Sequence, residues 1–232
     1  MFLKNYGIGA RFIIFFLTSV LFFSGCSSLK GLFGVSDEDL SPDELMYEGM
    51  NNMRLGRYQQ ASEQFQMIKD RYPYHKYAVE AELKVADALF KADEWTSAFM
   101  AYDDFERLHP RHIDIPYVIY QKGMCYFVQI RSFDRDQSFN YDAKEQFERL
   151  INRYPNSEYA NRARARLRDC FSYLAQYEQS VGDFYFKQKK YRAAYGRYKY
   201  LLENYPDLGQ YNRALEYMAL SKELMEQTKD LD

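Results

Sequence analysis

The sequence predicts an all-α fold, an α-solenoid of short helix pairs stacked into a superhelix. Two observations carry that expectation. From residue 42 onward apolar residues recur at helical spacing with almost no strand-like alternation. Four times, moreover, an aromatic or His stands before a Pro, at Tyr72-Pro73, His109-Pro110, Tyr154-Pro155 and Tyr205-Pro206. Proline cannot continue a helix, so each pair marks the end of a unit.

Ahead of the units, Lys4 and Arg11 precede a twelve-residue apolar stretch from Phe12 to Phe23, too short to cross a bilayer as a stable helix. This layout reads as a signal peptide over residues 1–25. The small residues Ser24 and Gly25 suit a processing protease, and Cys26 directly after them offers a thiol for lipidation. The motif resembles the bacterial lipoprotein box, with Phe23 where Leu is usual. Ser27, rather than Asp, after the cysteine implies onward transport to the outer membrane. Residues 26–41 are short on helix periodicity, carry Asp37-Glu38-Asp39, and read as a flexible tether.

Removing residues 1–25 leaves 29 Lys and Arg against 33 Asp and Glu, a balance that suits a soluble body. No later stretch reaches membrane-spanning length. Cys125 and Cys170 both fall in apolar helical patterns and read as small buried hydrophobes, although an exported chain would also allow a bridge between them.

Counting back from the four prolines exposes a template. An alanine lies twelve residues earlier (Ala61, Ala98, Ala143, Ala194), an aromatic four residues after it (Phe65, Tyr102, Phe147, Tyr198), and an apolar side chain three further on (Ile68, Phe105, Leu150, Leu201). Those positions share one helical stripe. Tyr58, Trp95 and Tyr191 precede three of the alanines by three residues, in the turn before the helix; the third unit has Asn140 instead. A small residue stands twelve before the alanine in three units, Gly49, Ala86 and Gly182. In the third, Gly123 stands 20 before, so eight extra residues fall within Gln129 to Ser138. A recurring helical glycine suggests that two helix backbones approach closely there, with the partner alanine serving the same need. From Glu158 to Lys187 no Gly or Pro interrupts the apolar stripe before Gly182, which predicts one long helix. Tyr211 to Gln227 reads as a capping half-repeat. The template resembles the tetratricopeptide repeat.

Chemistry of catalysis is not apparent. His75, His109 and His112 fall in inter-helix turns, with no ligand set for a metal, and neither a phosphate-binding Gly loop nor a nucleophile elbow occurs. No enzyme, no metal and no cofactor is expected. Between Arg153 and Tyr200 eleven Lys and Arg face four acids. On a helix Arg162 and Arg166 share one face, either a solvated surface or a dock for an acidic protein partner. Export argues against nucleic acid. Tyr117 and Tyr120 line one side of the third unit's first helix, as core packing or as part of a concave peptide groove.

Asp70-Arg71-Tyr72-Pro73-Tyr74, Arg107-Leu108-His109-Pro110 followed by Ile115-Pro116-Tyr117-Val118-Ile119-Tyr120-Gln121-Lys122-Gly123, Arg153-Tyr154-Pro155-Asn156-Ser157-Glu158-Tyr159, and Tyr177-Glu178-Gln179-Ser180-Val181 together resemble the BamD family of outer-membrane assembly lipoproteins. The resemblance covers nearly all of residues 42–220. It implies a non-enzymatic, lipid-tethered periplasmic subunit of the machinery that inserts β-barrel proteins into the outer membrane. Residues 42–155 would hold a pocket for an extended signal of unfolded substrates, and residues 156–232 would dock the barrel subunit and accessory lipoproteins. Arg197 occupies the helix that carries the family's contact arginine. Departures from the family are a short insertion in the third unit and a C-terminal half-repeat that stops early, near Asp232. The competing expectation is another tetratricopeptide lipoprotein, such as a secretin pilotin or a cell-envelope coordination factor.

Overall fold

Local signals set where each helix begins and ends. The structure, a computed structural model, describes residues 40–229; the signal peptide, Cys26 and most of the tether lie outside the described residues. Helix α1 (Pro42–Arg54) opens on a capping box: Ser41 Oγ accepts from the Glu44 amide at 3.3 Å and Glu44 Oε2 accepts from the Ser41 amide at 2.9 Å. Then follow α2 (Tyr58–Arg71), α3 (Ala78–Lys91), α4 (Trp95–Leu108), α5 (Ile115–Phe127) and α6 (Ser138–Arg153). Helix α7 (Glu158–Lys187) begins on Ser157, whose hydroxyl accepts from the Ala160 amide. Helices α8 (Tyr191–Asn204) and α9 (Tyr211–Lys229) end the described chain. No strand occurs among the described residues.

The helices pack chiefly against their neighbours in the chain, with α5 also touching α7. That nearest-neighbour order is the solenoid of helix pairs the periodicity predicts. Four aromatic or His residues cap the second helices, their amides returning to the carbonyls of Ile68, Phe105, Leu150 and Leu201, and each stands before a proline. Tyr58, Trp95 and Tyr191, expected in the turns, instead form the first residue of α2, α4 and α8. The extra residues of the third unit lengthen its inner connection to the ten-residue loop 128–137, organised by the buried Gln137, whose Nε2 donates to the carbonyls of Ser132, Phe133 and Arg135.

The repeated glycines have a different cause from the one expected. A Cβ on Gly49, Gly123 or Gly182 would stand 2.5–2.7 Å from a ring carbon of Phe65, Phe147 or Tyr198 respectively. The space is therefore filled by the template's aromatic, not by the partner helix's backbone or its alanine. Two positions of the template answer each other across the helix pair.

Apolar residues form three clusters. The first joins α1 to α3 around Leu45, Phe65 and Ile68; the second runs from Leu83 and Tyr102 through Phe147 to Ala163 and Cys170; the third holds Leu174, Ala194, Tyr198, Leu201 and Ala214. The second and third clusters both draw on α7, and they part between Cys170 and Leu174. The change of role placed at 155/156 by the sequence thus does not coincide with a break in the core. Cys125 and Cys170 are free and buried, and burial pushes both thiols up to about 12.

Candidate partner-binding surfaces

The residues assigned to a substrate groove meet two of those assigned to partner docking, Arg162 and Arg166, on one patch. On α5, Tyr117 Oη donates to Asp87 Oδ1 at 2.6 Å, and Tyr102 Oη donates to the same oxygen at 2.8 Å. Gln121 Nε2 donates to Tyr117 Oη at 3.1 Å. Burial, then the charge of Asp87, raises the pKa of both phenols, so they stay neutral donors. The Tyr117 ring meets Tyr159 edge-on at 5.3 Å, and Tyr120 lies 5.9 Å from both Tyr159 and Phe147.

From α7, the Arg162 guanidinium lies 5.3 Å above Tyr159 and pairs with Glu158 at 2.7 Å. Arg166 lies 5.2 Å above Phe127 and pairs with Asp169 at 3.1 Å, and its bond with the Tyr120 hydroxyl is the largest influence raising its pKa. Tyr117, Tyr120 and Arg162 therefore meet at Tyr159, a residue to which spacing alone gave no role, and Arg166 joins the patch through Tyr120 and Phe127. Stacked rings and guanidinium groups offer apolar faces and directional donors to an extended peptide.

Arg197 stands apart, on α8. Its Nη1 donates to both carboxylate oxygens of Glu178, at 3.0 and 3.4 Å. The arginine side chain is 42% exposed and the glutamate 4%. A buried carboxylate thus holds a guanidinium whose outer part faces solvent, with its orientation fixed in advance. Next to this pair, Asp183 accepts from Tyr198 Oη at 2.7 Å and from Arg213 Nη2 at 2.7 Å, tying α7, α8 and α9 together.

A third polar cluster was not anticipated. Lys122, only 4% exposed, pairs with Glu106 at 3.2 Å and with Asp103, and its ammonium lies 5.0 Å from the Phe99 ring. Glu106 also receives both terminal nitrogens of Arg149, at 3.0 and 2.9 Å, and Arg153 at 3.2 Å. Burial alone would raise the Glu106 pKa, but Arg149 and Lys122 outweigh it and hold the carboxyl below the usual range. The signal was present: Lys122 continues the buried stripe Ile115, Val118, Ile119, and Glu178 follows Leu174 and Ala175 on another. A charge on an apolar stripe announces a buried partner.

The histidines serve the turns. His109 Nε2 lies 2.7 Å from Glu82 Oε2 and His112 Nδ1 lies 3.6 Å from Asp114. Among the described residues no group of three or more His, Cys, Asp or Glu is placed to hold a metal ion, and no helix is long and apolar enough to cross a membrane.

Residues 38–231 match the YfiO family model, described as an outer membrane lipoprotein. The chain is 30% identical over 209 residues to the outer membrane protein assembly factor BamD of Vibrio cholerae serotype O1, covering 83% of this chain and 86% of that protein. It is 30% identical over 194 residues to the protein of that name from Neisseria meningitidis serogroup B, covering 79% and 73%. With the Rickettsia prowazekii protein of the same name it shares 32% over 186 residues, covering 80% and 72%. The match runs through the helix pairs, the inserted loop and the long α7, and on that extent the chain belongs to the YfiO/BamD family of outer membrane lipoproteins.

Proposed function

We propose that this protein is a non-enzymatic scaffold of the outer-membrane β-barrel assembly machinery, held at the periplasmic face of the outer membrane by a lipid on Cys26. The observation that carries the reading is the alignment of about four fifths of the chain with proteins named outer membrane protein assembly factors. In this reading the barrel subunit docks around Arg197, with accessory lipoproteins nearby. The Tyr159 patch, with Tyr117, Tyr120, Arg162 and Arg166, receives an extended segment of an unfolded barrel substrate. Affinity comes from the rings, and register from the guanidinium groups.

Depletion of the protein tests the function: outer-membrane porin levels are expected to fall, and unchanged porins would remove the assembly role. The docking residue needs a more careful test than charge reversal. Arg197→Glu would set a second carboxylate against the buried Glu178 and confound binding with folding. Arg197→Gln combined with Glu178→Gln removes both charges together. The pair variant is expected to keep its melting temperature within a few degrees and lose co-purification with the barrel subunit; full retention would take Arg197 out of the interface.

A further inference from the structure

The four turns that follow the second helix of each unit occupy equivalent positions, so their side chains can be compared directly. In the first, Tyr74 is 100% exposed, and in the second, Ile113 is 87% exposed. Each has an exposed cation within two residues, Lys76 in the first turn and Arg111 in the second. The third turn offers Asn156, Ser157 and Glu158 instead, and the fourth Asp207 and Gly209. A large apolar side chain almost wholly in solvent thus occurs only in the first two of these four turns. The third has basic groups of its own, Arg153 and Arg164, the latter donating to the Pro155 carbonyl. Acids stand beside both N-terminal turns: Asp43, paired with Lys76 at 3.6 Å, Glu82, 2.7 Å from His109, and Asp114, beside His112.

The same edge receives the chain. Tyr72 Oη, in the first of these turns, donates to the Leu40 carbonyl at 3.1 Å, which fixes the start of the described chain beside Tyr74. Ile113 lies one helix pair further, about 20 Å at 8–10 Å per helix. Only 14 residues separate Leu40 from Cys26, and a chain of that length spans at most about 50 Å. A lipid on Cys26 would therefore hold this edge within about 50 Å of the bilayer, the shortest tether of any of the four turns.

We propose that the edge formed by the 73–77 and 110–113 turns is a membrane-contact surface. Tyr74 and Ile113 enter the interfacial layer of a phospholipid leaflet, while Lys76 and Arg111 lie against its anionic headgroups. An exposed aromatic and an exposed aliphatic, each with a cation close by, match the demands of that layer: apolar side chains gain from leaving water, and long basic ones reach the phosphates. The contact would set the orientation of the whole array under the membrane, which a flexible tether alone leaves open. The inference rests on the lipid-anchored reading above.

The test uses the full acylated chain on vesicles of phosphatidylethanolamine and phosphatidylglycerol. Single cysteines at Tyr74→Cys, Ile113→Cys and, as a control on the third turn, Asn156→Cys are labelled with a maleimide NBD dye; the buried Cys125 and Cys170 do not compete. Dye at 74 and 113 is expected to emit at shorter wavelength on vesicles and to be quenched when the lipids carry brominated chains, with dye at 156 unaffected. Lys76→Glu with Arg111→Glu is expected to abolish both effects. If the protein floats with the vesicles yet dye at 74 and 113 reports water, the edge is not a membrane contact and the anchor reading stands. Environmental change seen only after a purified protein partner is added would assign the edge to that partner and overturn the proposal. A Cys26 peptide of unmodified mass, in a protein that fails to float, would remove the anchor and this inference together.

Discussion

Gly182 and Gly196 lie on neighbouring helices of one helix pair, and the structure predicts opposite outcomes for the same substitution at each. A Cβ at Gly182 would stand 2.7 Å from Tyr198 Cε1 and 2.9 Å from Cζ, closer than real carbon contacts allow. Tyr198 cannot yield: its side chain is fully buried, its hydroxyl is held by Asp183 at 2.7 Å, and its ring packs against Tyr217 at 5.9 Å. At Gly196 nothing lies within 4 Å of the added carbon. Replacing a mid-helix glycine by alanine gains about 1 kcal/mol of helix propensity at either site. Overpacking a rigid core costs about 1–3 kcal/mol, so Gly182→Ala should be a net loss of up to about 2 kcal/mol. For a domain of this size that is a fall of a few degrees, while Gly196→Ala should raise the melting temperature by about 2–4 °C. Urea titration with unchanged slope would locate both effects in the native state. Adding Tyr198→Leu to Gly182→Ala should recover part of the loss through coupling of about 0.5–3 kcal/mol. If Gly182→Ala stabilises as much as Gly196→Ala, the ring does not enforce the glycine and the explanation of the repeat pattern fails.

Other outcomes follow from sites already described. Glu106 has its pKa lowered in the folded protein, so its contribution is present above the ordinary Glu range and is lost as pH falls through the folded value. Urea midpoints between pH 6 and 3 should drop more steeply for the native protein than for Glu106→Gln; parallel curves would show that the Lys122 network is not a source of acid sensitivity. Lys189 holds a left-handed backbone, φ 57°, where the matching turn in the first unit uses Gly56 at φ 71°. Lys189→Gly should therefore raise stability by about 1 kcal/mol, seen as a higher urea midpoint. Cys125 and Cys170, with thiols pushed up to about 12, should resist Ellman's reagent in the native state and react fully in 6 M guanidinium. Tyr117→Phe leaves Asp87 bonded to Tyr102 and should cost about 1 kcal/mol, measured by thermal melting.

The repeat template was legible because stacking makes each unit solve the same packing problem. Ala61, Phe65 and Ile68 and their three sets of counterparts are fully buried or nearly so, and the uninterrupted stripe from Glu158 gave α7 its bounds. What the template could not supply was pairing between units. Tyr117 and Arg162 belong to helices whose contact depends on how α7 crosses α5, and spacing within one helix does not encode that crossing. The same holds for Glu106, whose partners Lys122, Arg149 and Arg153 come from two other helices. The glycine positions were half legible: their phase was plain, but the object facing them was a ring rather than a backbone. The lipidation proposed at Cys26 is read from the sequence, since that residue lies outside the described ones.

The 30-residue α7 has a mechanical consequence. At 1.5 Å per residue it is a rod of about 45 Å, twice the length of its neighbours, embedded in the core of the third unit at one end and of the fourth at the other. In an ordinary repeat array, adjacent units are joined by a turn and can flex or melt at that joint. Here a continuous backbone hydrogen-bond ladder crosses the joint, so the two halves should exchange amide protons as one cooperative unit around residues 165–178. A pull exerted on α8 by a docked partner would then arrive at Tyr159 as a tilt of the same rod.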